Sequence, residues 1–209
     1  MHTESTAVKD KRIVRGESTR NELIQAAKGL FGEQGYAETS TDEIVLRAGV
    51  TKGALYHHFS GKEELFRAVY EQVEREVSDQ ACAEFLAPDS RDSLVKGCGL
   101  WVDAHLDPSV RRIVMQDARA VLGWDDVRAI ENRFGAVALR GALRKAMHAG
   151  VVELQPLRPL SVMLMGALGE GAHYIADAED PISARAEVGA LITRMLSAFQ
   201  SPDPVAGDL

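Results

Sequence analysis

The chain has 209 residues, 45% of them apolar, and carries 24 Lys/Arg against 31 Asp/Glu for a formal net charge of −7. That is room for one small module plus a larger helical domain with a real core, as in an ordinary soluble protein. The two cysteines, Cys82 and Cys98, stand at no metal-ligand spacing, the N-terminus is polar, and the least charged stretch, residues 160–175, is short for a membrane span. A cytoplasmic protein without a structural disulfide is therefore expected.

Residues 1–18 are polar and lack helical periodicity, and residues 9–20 hold five Lys/Arg against two Asp/Glu. They read as a flexible basic arm, which either touches nucleic acid or stays a solvated terminus. From Thr19 to Gln34, Leu23, Ile24, Ala27, Leu30 and Phe31 recur at helical spacing, and Gly35 ends the helix. Residues 39–62 then read as two short helices joined by a tight glycine turn. Thr39 or Ser40 can cap the first, Ser40 with Glu43 forms a capping-box pattern, Ile44 and Ala48 share one face, and Gly49 supplies the backbone freedom of a sharp turn. Thr51 starts a second helix that turns Leu55 and Phe59 inward. A fourth helix, capped by Ser60, follows with Leu65, Phe66, Val69, Val73 and Val77 on one side. Five more are expected near residues 91–106, 109–122, 125–149, 159–177 and 182–200, separated by Pro and Gly signals.

The fold class expected is thus all-α, with about nine helices: an N-terminal three-helix helix-turn-helix DNA-binding domain and a helical-bundle domain. The boundaries read as 1–18 arm, 19–60 helix-turn-helix, 61–79 connecting helix, 80–201 helical-bundle domain, and 202–209 disordered tail.

The outward side of the second short helix presents Thr51, Lys52, Gly53, Tyr56 and His57, a face small and polar enough at its start to enter a major groove. Thr41 is placed for a phosphate hydrogen bond at its helix start. Lys52 is the first base-contact candidate, since an ammonium can donate to guanine O6 and N7. Gly53 allows close approach, and Thr51 and Ala54 fall near thymine methyls. Tyr56, His57 and Lys62 would grip phosphates, the alternative being that Tyr56 and His57 are ordinary surface residues. His58, one step round the helix, is expected to be partly buried. Adjacent histidines point about 100° apart, so His57 and His58 make no metal pair, and no metal or cofactor is expected. Net charge alone conceals this reading: residues 9–75 are balanced at 11 basic and 11 acidic, and 76–209 carry 13 basic against 19 acidic residues.

The run Thr51-Lys-Gly-Ala-Leu-Tyr-His-His-Phe-Ser-Gly-Lys-Glu-Glu-Leu65 resembles the recognition helix and following turn of the tetracycline-repressor family. The resemblance spans roughly residues 19–77, through Phe31, Gly35, Tyr36, Thr41, Ile44, Ala48, Gly49, Val50, Tyr56, Phe59, Lys62 and Leu65, and is only architectural beyond residue 80. It implies a homodimeric transcription regulator, most often a repressor. A divergent C-terminal helical domain would bind a small molecule that releases DNA, with residues 109–122 as transmitter. It also implies phosphate contacts for Tyr56 and Lys62, and often for His57.

Aromatic, methionine and isolated polar residues on the central helices are the candidates for a small-molecule site: Trp101, His105, Met115, Trp124, Phe134, Met163, Glu170, His173 and Tyr174. Their mixture suggests a small, largely hydrophobic effector with one or two polar handles. Residues 159–177 are apolar on more than one side, and the last helix has a wide apolar face, which suits a four-helix dimer interface. The expected interface is Leu160, Leu164, Leu168 and Ile175 with Val188, Leu191, Ile192, Met195 and Phe199. Gly166 to Gly171 lacks the order of a nucleotide loop and reads as close helix packing. The partners expected are therefore palindromic double-stranded DNA, a small effector and a second copy of the chain, with no membrane. Two other readings remain. One is a ligand-independent architectural or activating DNA-binding factor. The other is an enzyme using His105, Glu170 or His173, for which no nucleophile, metal spacing or phosphate loop speaks.

Overall fold

The computed structural model describes residues 3–85 and 91–199, with side chains from Gly16 to Phe85 and from Asp92 onward. Among these residues the fold is all helical apart from a bridge at Val152, beside which the Glu153 N–H donates to Phe199 O at 2.8 Å. All nine expected helices are present, two of them subdivided. The tail 202–209 and the arm side chains Lys9, Lys11, Arg12 and Arg15 lie outside the described residues.

The chain forms two compact units. The first runs to Gln72 and includes α1 (Thr3–Gln34), α2 (Thr41–Ala48), α3 (Lys52–His58), the first half of α4 (Lys62–Phe85) and the later segment Pro108–Trp124. Helix α1 begins at Thr3 rather than Thr19, so residues 3–18 are helical and not the expected irregular arm. No proline interrupts this stretch, and once a helix is nucleated, each further residue adds a backbone bond without needing an apolar stripe. The core of this unit is Leu23, Ala27, Leu30, Phe31, Ile44, Leu55, Phe59, Leu65, Phe66 and Val69, all buried. Phe66 meets Phe31 edge-on at 5.2 Å and Tyr36 at 5.1 Å. Each such ring stabilises the unit by about 1.5–3 kcal/mol of apolar burial.

Residues 109–122, expected as one helix of the C-terminal domain, belong instead to the first unit, in a segment that starts at Pro108. They form α6 (Pro108–Arg111), a π turn (Arg112–Asp117) and α7 (Ala118–Leu122). The segment packs on α1 so closely that a Cβ at Gly32 would lie 2.6 Å from the Ser109 Cβ. Arg112 Nη1 donates to Glu33 O at 2.6 Å. The π turn inserts a wider hydrogen-bonded loop into an otherwise α-helical run.

The second unit comprises Val73–Asp107 and the chain from Asp125 onward, so the division falls inside α4 rather than at residue 60 or 80. Its helices after α4 are α5 (Arg91–Leu106), α8 (Trp124–Arg133), α9 (Gly135–His148), α10 (Leu157–Asp177) and α11 (Pro181–Ser197). The expected helix 125–149 breaks at Phe134, whose φ of −109° and ψ of −87° are not helical. Helix α10 packs against α5, α9 and α11. Asp180 caps α11 by accepting from the Ile182 and Ser183 N–H groups at 3.1 Å each, with Pro181 at the first helical position. Of the glycines expected to pack closely in α10, Gly171 does: a Cβ there would lie 2.9 Å from Val188 Cγ1, whereas one at Gly166 or Gly169 would meet nothing within 4 Å. No helix of the described residues is long and apolar enough to cross a membrane.

Candidate nucleic-acid interface

The local signals of residues 39–62 are realised bond by bond. Ser40 accepts from the Glu43 N–H at 3.2 Å, and Glu43 Oε2 accepts from the Ser40 N–H at 2.8 Å, a complete capping box. These bonds also hold the Glu43 carboxyl below its usual pKa. Gly49 ends α2 at φ +67°, a left-handed conformation that glycine adopts without strain. Its N–H donates to Leu46 O, and the Val50 N–H donates to Val45 O at 3.0 Å, the paired bonds that close a helix C-terminus. Thr51 then caps α3 by accepting from the Ala54 N–H at 3.2 Å. Leu55 and Phe59 are driven into the core.

That burial sets the outward face of α3. Thr51, Lys52, Gly53, Tyr56 and His57 are exposed together, with Tyr56 at 51%, while Ala54 and His58 are half-buried at its edge. Thr41, half-buried, opens α2. A face of this kind, with a lysine, a glycine, a tyrosine hydroxyl and an imidazole on a helix whose other side is anchored, has the chemistry to read base edges and bind phosphates.

Two of the cations have internal partners that spacing does not reveal. Lys52 Nζ lies 2.7 Å from Asp42 Oδ1 in an exposed pair, and this hydrogen bond raises the Lys52 pKa. Lys62, expected to grip phosphate, donates to Tyr36 O at 2.8 Å and Thr39 O at 2.9 Å, and sits 4.1 Å from the centre of the Tyr36 ring. Its ammonium thus holds the turn before α2. Asp117 Oδ2 accepts the Tyr36 N–H of the same turn at 2.8 Å. Sequence reasoning singled out neither Asp42 nor Asp117: their partners lie ten and 81 residues away, outside any helical period. Arg47 forks onto both oxygens of Glu33 at 2.7 and 2.9 Å, which fixes α2 to α1, lowers the Glu33 pKa and raises that of Arg47.

In the second unit, the structure brings only part of the expected effector set together. The Trp101 and His105 rings lie 3.8 Å apart, both buried. His105 Nδ1–H donates to Trp101 O at 2.8 Å, which leaves Nε2 as an acceptor. The Trp101 Nε1 donor is buried with no hydrogen-bond partner, beside Gly135 and Met165. Burial pushes the His105 pKa down to about 4, with His173 adding to the effect, so the pair is uncharged at neutral pH. Phe134 and His173 are half-buried, Phe134 lying against Arg75 and Arg133. The others fall elsewhere. Met115 and Trp124 belong to the first unit, and Met163, Glu170 and Tyr174 stand on the exposed side of α10.

The expected interface residues divide by burial. Leu160, Leu164, Leu168, Ile175, Val188 and Ile192 are buried inside the unit itself, while Leu191 and Met195 are exposed and Phe199 is half-buried. The large apolar side chains exposed on α10 and α11 are Val162, Met163 (72%), Tyr174 (56%), Ile182 (85%), Leu191 (54%) and Met195. Both sides of α10 are apolar, so periodicity found two stripes without saying which faces inward.

A three-helix reader whose second short helix offers a polar, cationic face, joined to a larger helical domain, defines a helix-turn-helix DNA-binding regulator. Residues 23–69 match the model of bacterial regulatory proteins of the tetR family, and 91–199 match that of the tetracyclin repressor-like C-terminal domain. The chain belongs to the tetracycline-repressor family, a family of transcriptional regulators and not of enzymes. A TetR-family transcriptional regulator from Pectobacterium atrosepticum is 32% identical with a TM-score of 0.76, over 90% of this chain and 97% of that one. The transposon Tn10 TetC protein of Escherichia coli is 32% identical over 114 residues, 54% of this chain and 58% of that protein. The transcriptional activator FasR of Mycolicibacterium smegmatis is 42% identical over 84 residues, 40% of this chain and 38% of that one. The chain thus spans less than two thirds of the length of both these curated relatives.

Two measurements test the roles assigned to buried polar groups. Lys62→Met keeps the stem but takes the donor from Thr39 O and leaves Tyr36 O only the Thr39 N–H at 3.4 Å, and should cost about 1–3 kcal/mol of unfolding free energy in urea. Lys52→Met, at an exposed position, should stay near wild type; equal costs would contradict the anchoring role of Lys62. For His105, the folded pKa of about 4 lies below the ordinary 6.5, so between these values the unfolded chain binds more protons. Its contribution to stability is therefore complete above pH 6.5 and falls as the pH drops toward 4. Thermal unfolding across that range should show a steeper loss for wild type than for His105→Phe, and equal slopes would show that His105 becomes charged in the folded protein.

Proposed function

We propose that the protein is a ligand-responsive homodimeric repressor, released from a palindromic operator by a small, largely hydrophobic effector. Each α3 would enter the major groove of one half-site. Lys52 would contact a base pair with Thr51, Gly53 and Ala54 close to it, and Thr41, Tyr56 and His57 would bind the backbone. Lys62 would hold the turn that carries α2 and offer phosphate only the donor capacity its two carbonyls leave.

The observation that carries the effector part is the buried, unpartnered Trp101 Nε1–H stacked beside a neutral His105. A donor without a partner in an apolar interior costs about 1–3 kcal/mol, which a bound acceptor would recover. The pair is uncharged, so it suits an uncharged molecule with a hydroxyl or carbonyl handle on an apolar body. The exposed apolar face of α10 and α11 supports dimerisation through those helices, since large apolar patches on a surface mark association sites. Regulation requires that the effector bind the non-operator geometry more tightly than the operator-bound one, as equal affinities shift nothing. The segment 108–124 supports a transmitter role because it packs on α1 and holds Tyr36 through Asp117.

A second reading, an activator, is favoured by the description of FasR as a transcriptional activator. The operator position relative to its promoter separates the two.

Selection of bound duplexes from a random pool by the purified protein should enrich a palindrome with half-sites about one helical turn apart. Lys52→Ala should relax preference at one base pair per half-site, whereas Tyr56→Phe should weaken all sequences alike. Enrichment of a non-palindromic sequence, or equal loss of specificity in both variants, would contradict the assignment.

A further inference from the structure

Among described residues 39–62, the Lys and Arg side chains are Arg47, Lys52 and Lys62, and each has a partner within the protein. Their partners differ in kind. Arg47 fixes α2 to α1 through Glu33, and Lys62 closes the turn at Tyr36 and Thr39. The Lys52–Asp42 pair does neither: it joins the first turn of α2 to the first residue of α3 over open solvent, with the two side chains 51% and 71% exposed.

Helix chemistry explains why the pair forms. Lys52 sits at a helix start, where a cation meets the positive end of the backbone dipoles, and α3 has no acidic residue in its own first turn. The first turn of α2 supplies two carboxylates, of which Glu43 is committed to the Ser40 capping box. Asp42 is the one left to neutralise Lys52, and it does so at the position from which Lys52 must reach DNA.

We propose that Asp42 competes with DNA for the Lys52 ammonium and thereby sets the affinity of the reader. Resting on the assignment of α3 as the DNA-reading helix, this makes Asp42 a positioning residue that acts through Lys52. In the free protein the carboxylate parks the cation. On binding, the lysine exchanges one anionic partner for acceptors on the duplex, and Asp42 is left unpaired near the phosphates. Both consequences lower affinity, but only the first depends on Lys52.

A double-mutant cycle isolates that dependence. Anisotropy is measured on the selected operator duplex and on a mixed-sequence duplex for wild type, Asp42→Asn, Lys52→Met and the double variant. Thermal unfolding confirms that each is folded, and Asp42→Ser serves as the second carboxylate-free variant. Exposed ion pairs of this kind are weak, so removing the carboxylate should tighten binding up to about fivefold more when Lys52 is present than when it is Met. The salt slope on mixed-sequence DNA should steepen by about one unit. Asp42→Glu should stay near wild type. Equal tightening in both backgrounds would show simple removal of a repulsive charge and overturn the proposal, as would no tightening in the presence of Lys52. If wild type binds neither duplex, the assignment of α3 as a reader falls with it, so the two failures are distinguishable.

Discussion

The Lys62 ammonium and the short turn that it closes organise the reader. Lys62 satisfies the carbonyls of Tyr36 and Thr39, Thr39 Oγ1 donates to Gly35 O at 2.7 Å, and Asp117 accepts the Tyr36 N–H. Four pieces of chain meet there: the end of α1, the entry to α2, the start of α4 and the segment that follows Pro108. Backbone polar groups in a half-buried turn need partners. Here the partners come from elsewhere in the sequence, so satisfying the turn also fixes where α2 begins. From that fixed start the capping box, the Gly49 turn and the Thr51 cap follow in order, and α3 is presented with Leu55 inward and Tyr56 outward.

This explains why the reader was legible in the sequence. Ser40 with Glu43, Gly49, and Thr51 ahead of Leu55 act over three or four residues, and local bonds leave local patterns. What was not legible acts over distance. Lys62 looks like a surface cation because its two carbonyl acceptors are 23 and 26 residues away. Asp117 and Asp42 look like ordinary acidic residues. Nothing in the periodicity of 109–122 signals that the segment packs with the N-terminal unit, because membership of a unit depends on which surface offers a groove such as the one at Gly32. The polar residues 3–18 were misread because helical backbone bonding does not require an amphipathic pattern.

The second unit shows the same division. The positions of α5, α10 and α11 were readable from Pro and Gly punctuation, as was close packing at Gly171. Which side of α10 faces inward was not, since Leu160, Leu164 and Leu168 differ little in hydropathy from Val162 and Met163. Burial of the first set leaves the second as open apolar surface. A buried indole N–H with no partner, stacked on an uncharged imidazole, likewise becomes visible only in three dimensions.

The central claim is that α3 reads the major groove of duplex DNA. Methylation interference on the selected duplex tests it most directly, because methylation of guanine N7 blocks the major-groove edge and that of adenine N3 the minor. The account predicts loss of binding on N7 methylation at guanines in both half-sites, with no effect at adenine N3 there. Interference confined to adenine N3, or none within the half-sites, would contradict it.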